Sequence, residues 1–100
     1  MLHLIWDMET SDPDDFLTLL FLLGQPHINL QAVTITPGTP AQVGLVRVAL
    51  AWFGLDIPVG AYNIEHPKEC VSAWHYKAYG KIESSNDAVS GAELLRQMCD

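Results

Sequence analysis

Apolar and polar positions alternate in blocks along the first quarter of the chain. Leu2–Trp6 is a short apolar run that ends at a group of acidic residues, which is typical of a buried strand. Phe16–Leu23 is apolar around most of a helical circumference, and it predicts a buried helix that ends at Gly24. We expect Asp12 to be the N-cap of this helix and Pro13 to occupy its first position, where the missing N–H has no cost.

The same order of elements is repeated in the next segment. Leu30–Thr36 is rich in β-branched residues and predicts a second strand. A second helix is expected to follow, with Thr39 as its N-cap, Pro40 at its first position and Gly54 at its end. Ile57–Ala61 is a third, short strand candidate.

The last part of the chain has a weaker pattern. Residues 62–85 show no convincing period and are predicted to be a long connection, and residues 84–98 predict a third helix. This alternation indicates an α/β fold, an open parallel sheet of the Rossmann-like three-layer type, in one domain over residues 1–100. Because a three-stranded sheet leaves its edges exposed, we expect a fragment of a larger domain or a chain covered by a partner, such as a second copy in a homo-oligomer.

The charge is placed very unevenly. The formal net charge is −7, and Lys or Arg does not occur before Arg47. An acidic surface repels a phosphate backbone, so the charge disfavours nucleic acid as a partner, and we expect none; a metal cation is favoured. No apolar run has the roughly 20 residues that a membrane span needs, which predicts no membrane partner. Without a secretory signal, and with Cys70 and Cys99 expected to be reduced thiols, the cytoplasm is the expected compartment.

Five acidic residues follow the first strand: Asp7, Glu9, Asp12, Asp14 and Asp15. The last three are residues that any helix start prefers, so a purely structural role explains them. The first two crowd the same space, where like charges repel each other, and a hard cation such as Ca²⁺ or Mg²⁺ would offset that repulsion. The metal site and the structural cluster both remain open at this point.

Two known acidic motifs can be compared with this loop. An EF-hand needs Gly at its sixth and Glu at its twelfth position, and counted from Asp7 these are Asp12 and Thr18, so the match fails. The stretch "DMET" partly resembles the strand end of haloacid-dehalogenase-type phosphatases. That resemblance implies Asp7 as the nucleophile and Mg²⁺ as the cofactor, but it does not explain the acidic pair at the start of the helix.

A more extensive resemblance covers residues 2–61. The stretches "DMETSDPDD", "QPHINLQAVTITPGT" and "IPVGAYN" are similar in order and spacing to the N-terminal part of the inosine/uridine-preferring nucleoside hydrolases. The resemblance implies a partial nucleoside hydrolase-like domain, a cytoplasmic enzyme of purine and pyrimidine salvage whose small-molecule partner is a nucleoside. The implied reaction is hydrolysis of the N-glycosidic bond of a ribonucleoside by a water that Ca²⁺ activates.

The resemblance also implies roles for individual acidic residues. Glu9 would bind Ca²⁺ and take the proton of the water, and Asp15 and Asp7 would be the other residues at the metal. Asp14 would hold the ribose hydroxyls. One residue too many separates the first acids from the final pair, and Glu9 stands where the family has Asp, so the base is displaced relative to the family pattern.

Two further residues are assigned to the substrate by the resemblance. Thr39 stands where the family usually has an Asn that touches the sugar. His75 falls where the family has a mobile loop that closes over the nucleobase, so it would protonate the leaving base, whereas a surface histidine on a loop is the alternative. The family's domain is much longer than this chain, which predicts an incomplete site here, and a non-catalytic remnant or interaction subunit is a further alternative.

Overall fold

The computed structural model describes residues 2–99. Eight elements follow one another along the chain: β1 (Leu2–Met8), α1 (Asp14–Leu23), β2 (Ile28–Ile35), α2 (Pro40–Trp52), β3 (Val59–Ala61), α3 (Ala73–Tyr79), β4 (Val89–Ser90) and α4 (Gly91–Cys99). The four strands form one parallel sheet in the order β1-β2-β3-β4. The predicted α/β class with an open parallel sheet is confirmed.

Helices cover both faces of the sheet. On one face, α1 and α2 pack over the strands in a core formed by Met8, Phe16, Leu19, Leu30, Val33, Ile35, Val43, Leu45, Val46, Ala49, Leu50, Val59 and Ala61. Gly60 points to the other face, because side chains alternate along a strand, and there it meets Gly91 and Leu94 of α4. The three-layer arrangement predicted from the sequence is therefore present.

The two main helices begin differently from one another. Helix α2 begins as predicted: the Thr39 hydroxyl accepts a hydrogen bond from the Gln42 amide, and the Gln42 side chain accepts one from the Thr39 amide. The predicted start of α1 is wrong by one residue. Its N-cap is Pro13, without a side-chain cap, because the Asp12 carboxylate lies with other acidic groups of the loop.

The predictions for the last 40 residues are less accurate. The predicted connection contains helix α3, which the sequence pattern misses because its aromatic residues show no single apolar stripe. The third predicted helix begins at Gly91, seven residues later than expected, and part of the difference is strand β4. Arg47 helps to hold this segment extended, since its guanidinium donates to the backbone oxygen of Asp87 at 2.7 Å.

Within residues 2–99, no helix has the length and apolar character needed to cross a membrane.

Candidate functional site

The site lies at the carboxyl ends of the first two strands. Met8 pairs with Ile35 in the register of β1 and β2, and the Thr36 amide donates to the Met8 oxygen at 2.9 Å. The loop between β1 and α1 therefore lies beside the loop between β2 and α2. In open parallel sheets, ligands bind at this edge.

Three carboxylates of the first loop converge. Glu9, Asp12 and Asp14 each have an oxygen within 4.8 Å of the others; Glu9 is half-buried, and the two aspartates are exposed. Oxygens that bind Ca²⁺ at about 2.4 Å lie up to about 4.8 Å apart across the ion, so this spacing and this hard donor set fit a divalent cation. We call Glu9, Asp12 and Asp14 the acidic triad.

The triad differs from the ligand set implied by the resemblance. Asp7 is exposed, and its carboxylate accepts a hydrogen bond from the Thr34 hydroxyl on the neighbouring strand at 2.7 Å. The Asp15 carboxylate accepts a hydrogen bond from the Glu9 amide at 3.1 Å. The structure thus gathers Glu9 with Asp12, which the sequence suggested only as a helix cap, and with Asp14, to which the resemblance assigned the sugar.

A buried glutamine joins the two loops, and the sequence reasoning did not single it out. The side-chain oxygen of Gln42 accepts hydrogen bonds from the amides of Gly38 (2.8 Å) and Thr39 (2.9 Å). Its side-chain nitrogen donates to the Thr10 hydroxyl (2.9 Å) and to the Thr36 oxygen (3.1 Å). The pattern Thr-x-x-Gln of a capping box was the available signal, but only the fold shows that Gln42 also reaches the acidic loop.

Residues 69–72, which we call the bracing segment, lie against both loops. Thr10 directly follows Glu9. Its hydroxyl donates to the backbone oxygen of Cys70 at 2.6 Å, and its backbone oxygen accepts a hydrogen bond from the Ser72 amide at 3.0 Å. Thr39 is 2% exposed, and its hydroxyl donates to the Glu69 oxygen at 2.7 Å. The proton that Thr39 could offer to a sugar is therefore already used within the protein.

His75 belongs to α3 and is fully buried. Its ring lies edge-on to Phe16 with centroids 5.6 Å apart, and its Nδ1 is 2.9 Å from the Ser72 hydroxyl. Both sequence-based descriptions of its surroundings, a mobile loop and an exposed surface loop, are wrong, because the aromatic face of α3 packs on α1. A role in protonating a nucleobase would require this helix to move.

Tyr76 connects α3 to the bracing segment through a hydrogen bond from its hydroxyl to the Glu69 carboxylate. Burial, followed by this hydrogen bond and the negative charge of Glu69, raises the pKa of Tyr76 to about 12. In Glu69→Gln we expect the pKa of Tyr76 to fall but to stay above 10.0, because burial, the largest cause, remains. Alkaline titration of tyrosinate absorbance, corrected with Tyr76→Phe, measures it. An unchanged pKa, or an equal change in Glu65→Gln, would contradict this explanation.

No protein-family model matches the chain, and no solved structure matches it. An uncharacterized protein of Aquifex aeolicus (strain VF5) is 31% identical over 98 residues, covering 94% of this chain and 34% of that protein. The chain therefore spans about a third of the length of this relative.

Proposed function

We propose that this chain provides the cation-binding corner of a hydrolase that cleaves the N-glycosidic bond of ribonucleosides with Ca²⁺ as cofactor. The observation that supports the proposal most is the acidic triad at the carboxyl end of β1, within the loop whose sequence resembles the nucleoside hydrolases. The neighbouring loop at the end of β2 lies beside it, where a substrate could contact both. The two free cysteines are compatible with a cytoplasmic location.

The acidic residues of the loop would have different roles, because their surroundings differ. One carboxylate oxygen of Glu9 accepts a hydrogen bond from the Ser11 amide at 2.7 Å, and this contact orients the carboxylate. The other oxygen would hold the cation and accept a proton from water. Asp12 and Asp14 are exposed and would hold the cation from the solvent side. Asp15 would position Glu9 through its backbone amide.

The electrostatics of the corner suit the proposed reaction. Departure of the base develops positive charge on the ribose ring, and the carboxylates of Glu9, Asp12 and Asp14 would stabilise that charge. When bound, Ca²⁺ lowers the pKa of its water and orients the ribose hydroxyls. One converging oxygen from each triad residue gives three of the 6–8 oxygens that Ca²⁺ takes, so we expect weak binding with a dissociation constant of about 0.1–1 mM.

Calorimetric titration with Ca²⁺ measures cation binding by the acidic triad. We expect Glu9→Gln combined with Asp14→Asn to weaken binding at least about tenfold, because two of three anionic ligands are lost. The matched control is Asp56→Asn combined with Glu83→Gln, which removes two exposed acidic charges outside the acidic loop. If Ca²⁺ binds only the native state, a concentration of ten times the dissociation constant should add about 1.4 kcal/mol of stability to the unmodified chain.

Two results would contradict the proposal. Equal affinities in the triad variant and the control variant would mean that the cation binds by general charge attraction. No rise in melting temperature on adding millimolar Ca²⁺ would favour the non-catalytic alternative. The glycosidic step is tested separately, by release of free base from inosine and uridine, in a longer relative that carries the same acidic loop.

A further inference from the structure

Strand β1 lies at an edge of the sheet formed within residues 2–99. It is the first strand in the sheet order and pairs with β2 alone. The Leu2 amide and the Met8 backbone oxygen both form hydrogen bonds on the side of β2, so the backbone groups of the even-numbered residues point toward that strand. Because these groups alternate along a strand, the free edge offers to an added strand the N–H and C=O groups of His3, Ile5 and Asp7.

The side chains of His3 and Asp7 lie on one face of this edge and are oriented by β2. The side-chain nitrogens of Asn29 and Gln31 lie 3.0 and 3.4 Å from Nδ1 of His3. An amide nitrogen only donates, so Nδ1 accepts and the neutral ring carries its proton on Nε2. One carboxylate oxygen of Asp7 accepts the Thr34 hydroxyl at 2.7 Å. Both side chains are exposed, so an imidazole donor and a carboxylate acceptor face solvent four residues apart.

The other face of the same edge is apolar. Leu4 and Trp6 pack against the core but stay partly exposed, and Leu2 is exposed. Helix α1 packs on this face, and its Leu17 and Phe21, one turn apart, are 48% and 64% exposed. A helix that is apolar around most of its circumference is normally buried, so this surface is suited to a partner.

We propose that two copies of this chain associate through β1, with the two strands antiparallel about a two-fold axis at Ile5. In this register, His3 of each copy lies opposite Asp7 of the other, and Ile5 lies opposite itself. All three outward-facing residues then form hydrogen-bonded backbone pairs, and two contacts join Nε2–H of His3 to a carboxylate oxygen of Asp7. On the apolar face, Leu4 lies opposite Trp6. This inference does not depend on the proposed hydrolase activity.

The self-complementary spacing of the edge favours a second copy over a strand of another protein. A two-fold contact uses the same surface twice, so it needs a donor and an acceptor placed symmetrically about its centre, as His3 and Asp7 are about Ile5. Such a contact also covers both free edges and does not extend to a third copy.

The charge of the chain favours the antiparallel direction. Each copy has a formal net charge of −7, and the acidic triad follows the carboxyl end of β1. A parallel pairing would place the two triads side by side. Antiparallel pairing places the carboxyl ends of the two strands about 20 Å apart, because six residue steps separate Leu2 from Met8. That distance exceeds the Debye length of about 8 Å at physiological ionic strength, so repulsion between the triads is screened.

Sedimentation equilibrium of the unmodified chain at about 5–500 μM measures the association. We expect a reversible dimer with a dissociation constant of about 10–100 μM, because a strand edge buries less than the standard interface of about 1,600 Å². His3→Asp places two carboxylates opposite each other at both contacts and should raise the dissociation constant at least about tenfold. The matched control is His27→Asp, the same change at an exposed histidine outside β1, which should leave it unchanged.

Mixing two variants tests the register. Asp7→His alone places two imidazoles opposite each other, but a mixture of His3→Asp with Asp7→His restores an imidazole opposite each carboxylate. We expect the mixed dimer to be about tenfold tighter than the dimer of either variant alone. Circular dichroism checks that each variant is folded.

Four results would overturn the proposal. A monomer at every concentration of the unmodified chain, which decides the matter even if the variants do not fold, would mean that a different polypeptide covers the edge. Assembly beyond a dimer would contradict the two-fold contact. Equal dissociation constants in His3→Asp and His27→Asp would place the interface elsewhere, and a mixed dimer no tighter than the separate ones would exclude this register.

Discussion

Replacing Gln42 with methionine is expected to lower the free energy of unfolding by about 3–6 kcal/mol. Methionine has a similar length, but it can neither accept hydrogen bonds from the amides of Gly38 and Thr39 nor donate to Thr10 and Thr36. The Thr10 hydroxyl keeps its hydrogen bond to the Cys70 oxygen, whereas the Gly38 amide, the Thr39 amide and the Thr36 oxygen lose the glutamine as their partner. Each buried polar group left without a partner costs about 1–3 kcal/mol, and partial relaxation makes the total smaller than a simple sum. Urea denaturation followed by circular dichroism measures the loss.

The matched control is Gln97→Met, the same substitution at an exposed position of α4. We expect it to change the free energy of unfolding by less than about 0.5 kcal/mol. Because Gln42 also holds Thr10, directly after Glu9, its replacement should weaken any Ca²⁺ binding by the acidic triad under conditions where the variant is still folded. A stability loss in Gln42→Met no larger than that of the control would mean that water takes over the hydrogen bonds that the Gln42 side chain makes in the unmodified chain.

Gly38→Ala is expected to cost at least about 3 kcal/mol, for two separate reasons. Gly38 has a φ of 92°, which disfavours every residue with a Cβ atom. A Cβ atom added there would also lie 2.3 Å from the Cβ atom of Ala61 and 2.7 Å from its Cα atom, so strand β3 or the turn would have to move. The same measurement of urea unfolding tests the expectation.

Gly54→Ala separates these two reasons. Gly54 also has a positive φ, 67°, but an added Cβ atom would meet no atom within 4 Å. We therefore expect it to cost only the backbone term of about 1–2 kcal/mol. If the free energy of unfolding fell equally in the two glycine variants, the close approach of Gly38 to Ala61 would contribute nothing to the cost of Gly38→Ala.

Local sequence signals predicted the first 61 residues well. Apolar runs bounded by Pro, Gly and acidic residues placed β1, α1, β2 and α2 close to their observed limits, since these signals act within a few residues of the element they define. Thr39 and Pro40 start α2 as the capping rule predicts. The acidic loop could also be recognised from sequence, because charge crowding after a buried strand is visible without coordinates.

The later elements could not be predicted in the same way. Helix α3 is stabilised by the packing of His75 and Tyr79 on Phe16, which lies about 60 positions earlier in the chain. Trp52 and Phe53 are large apolar residues of the kind that usually lies in a core, yet they are 51% and 42% exposed at the end of α2. Their hydrophobic character is evident from the sequence, but only the tertiary structure decides whether another helix or strand covers them.

By itself, the sequence determined the α/β class, the order of the first strands and helices, and the concentration of carboxylates after β1, because each depends on local composition and periodicity. The tertiary structure decided which carboxylates meet, since backbone direction after Met8 places Asp12 with Glu9 and turns Asp15 to the Glu9 amide. It also brought Gln42 and the bracing segment to Thr10, contacts between residues 32 and 60 positions apart. Such contacts form only when the sheet and its helices pack, so no local pattern encodes them.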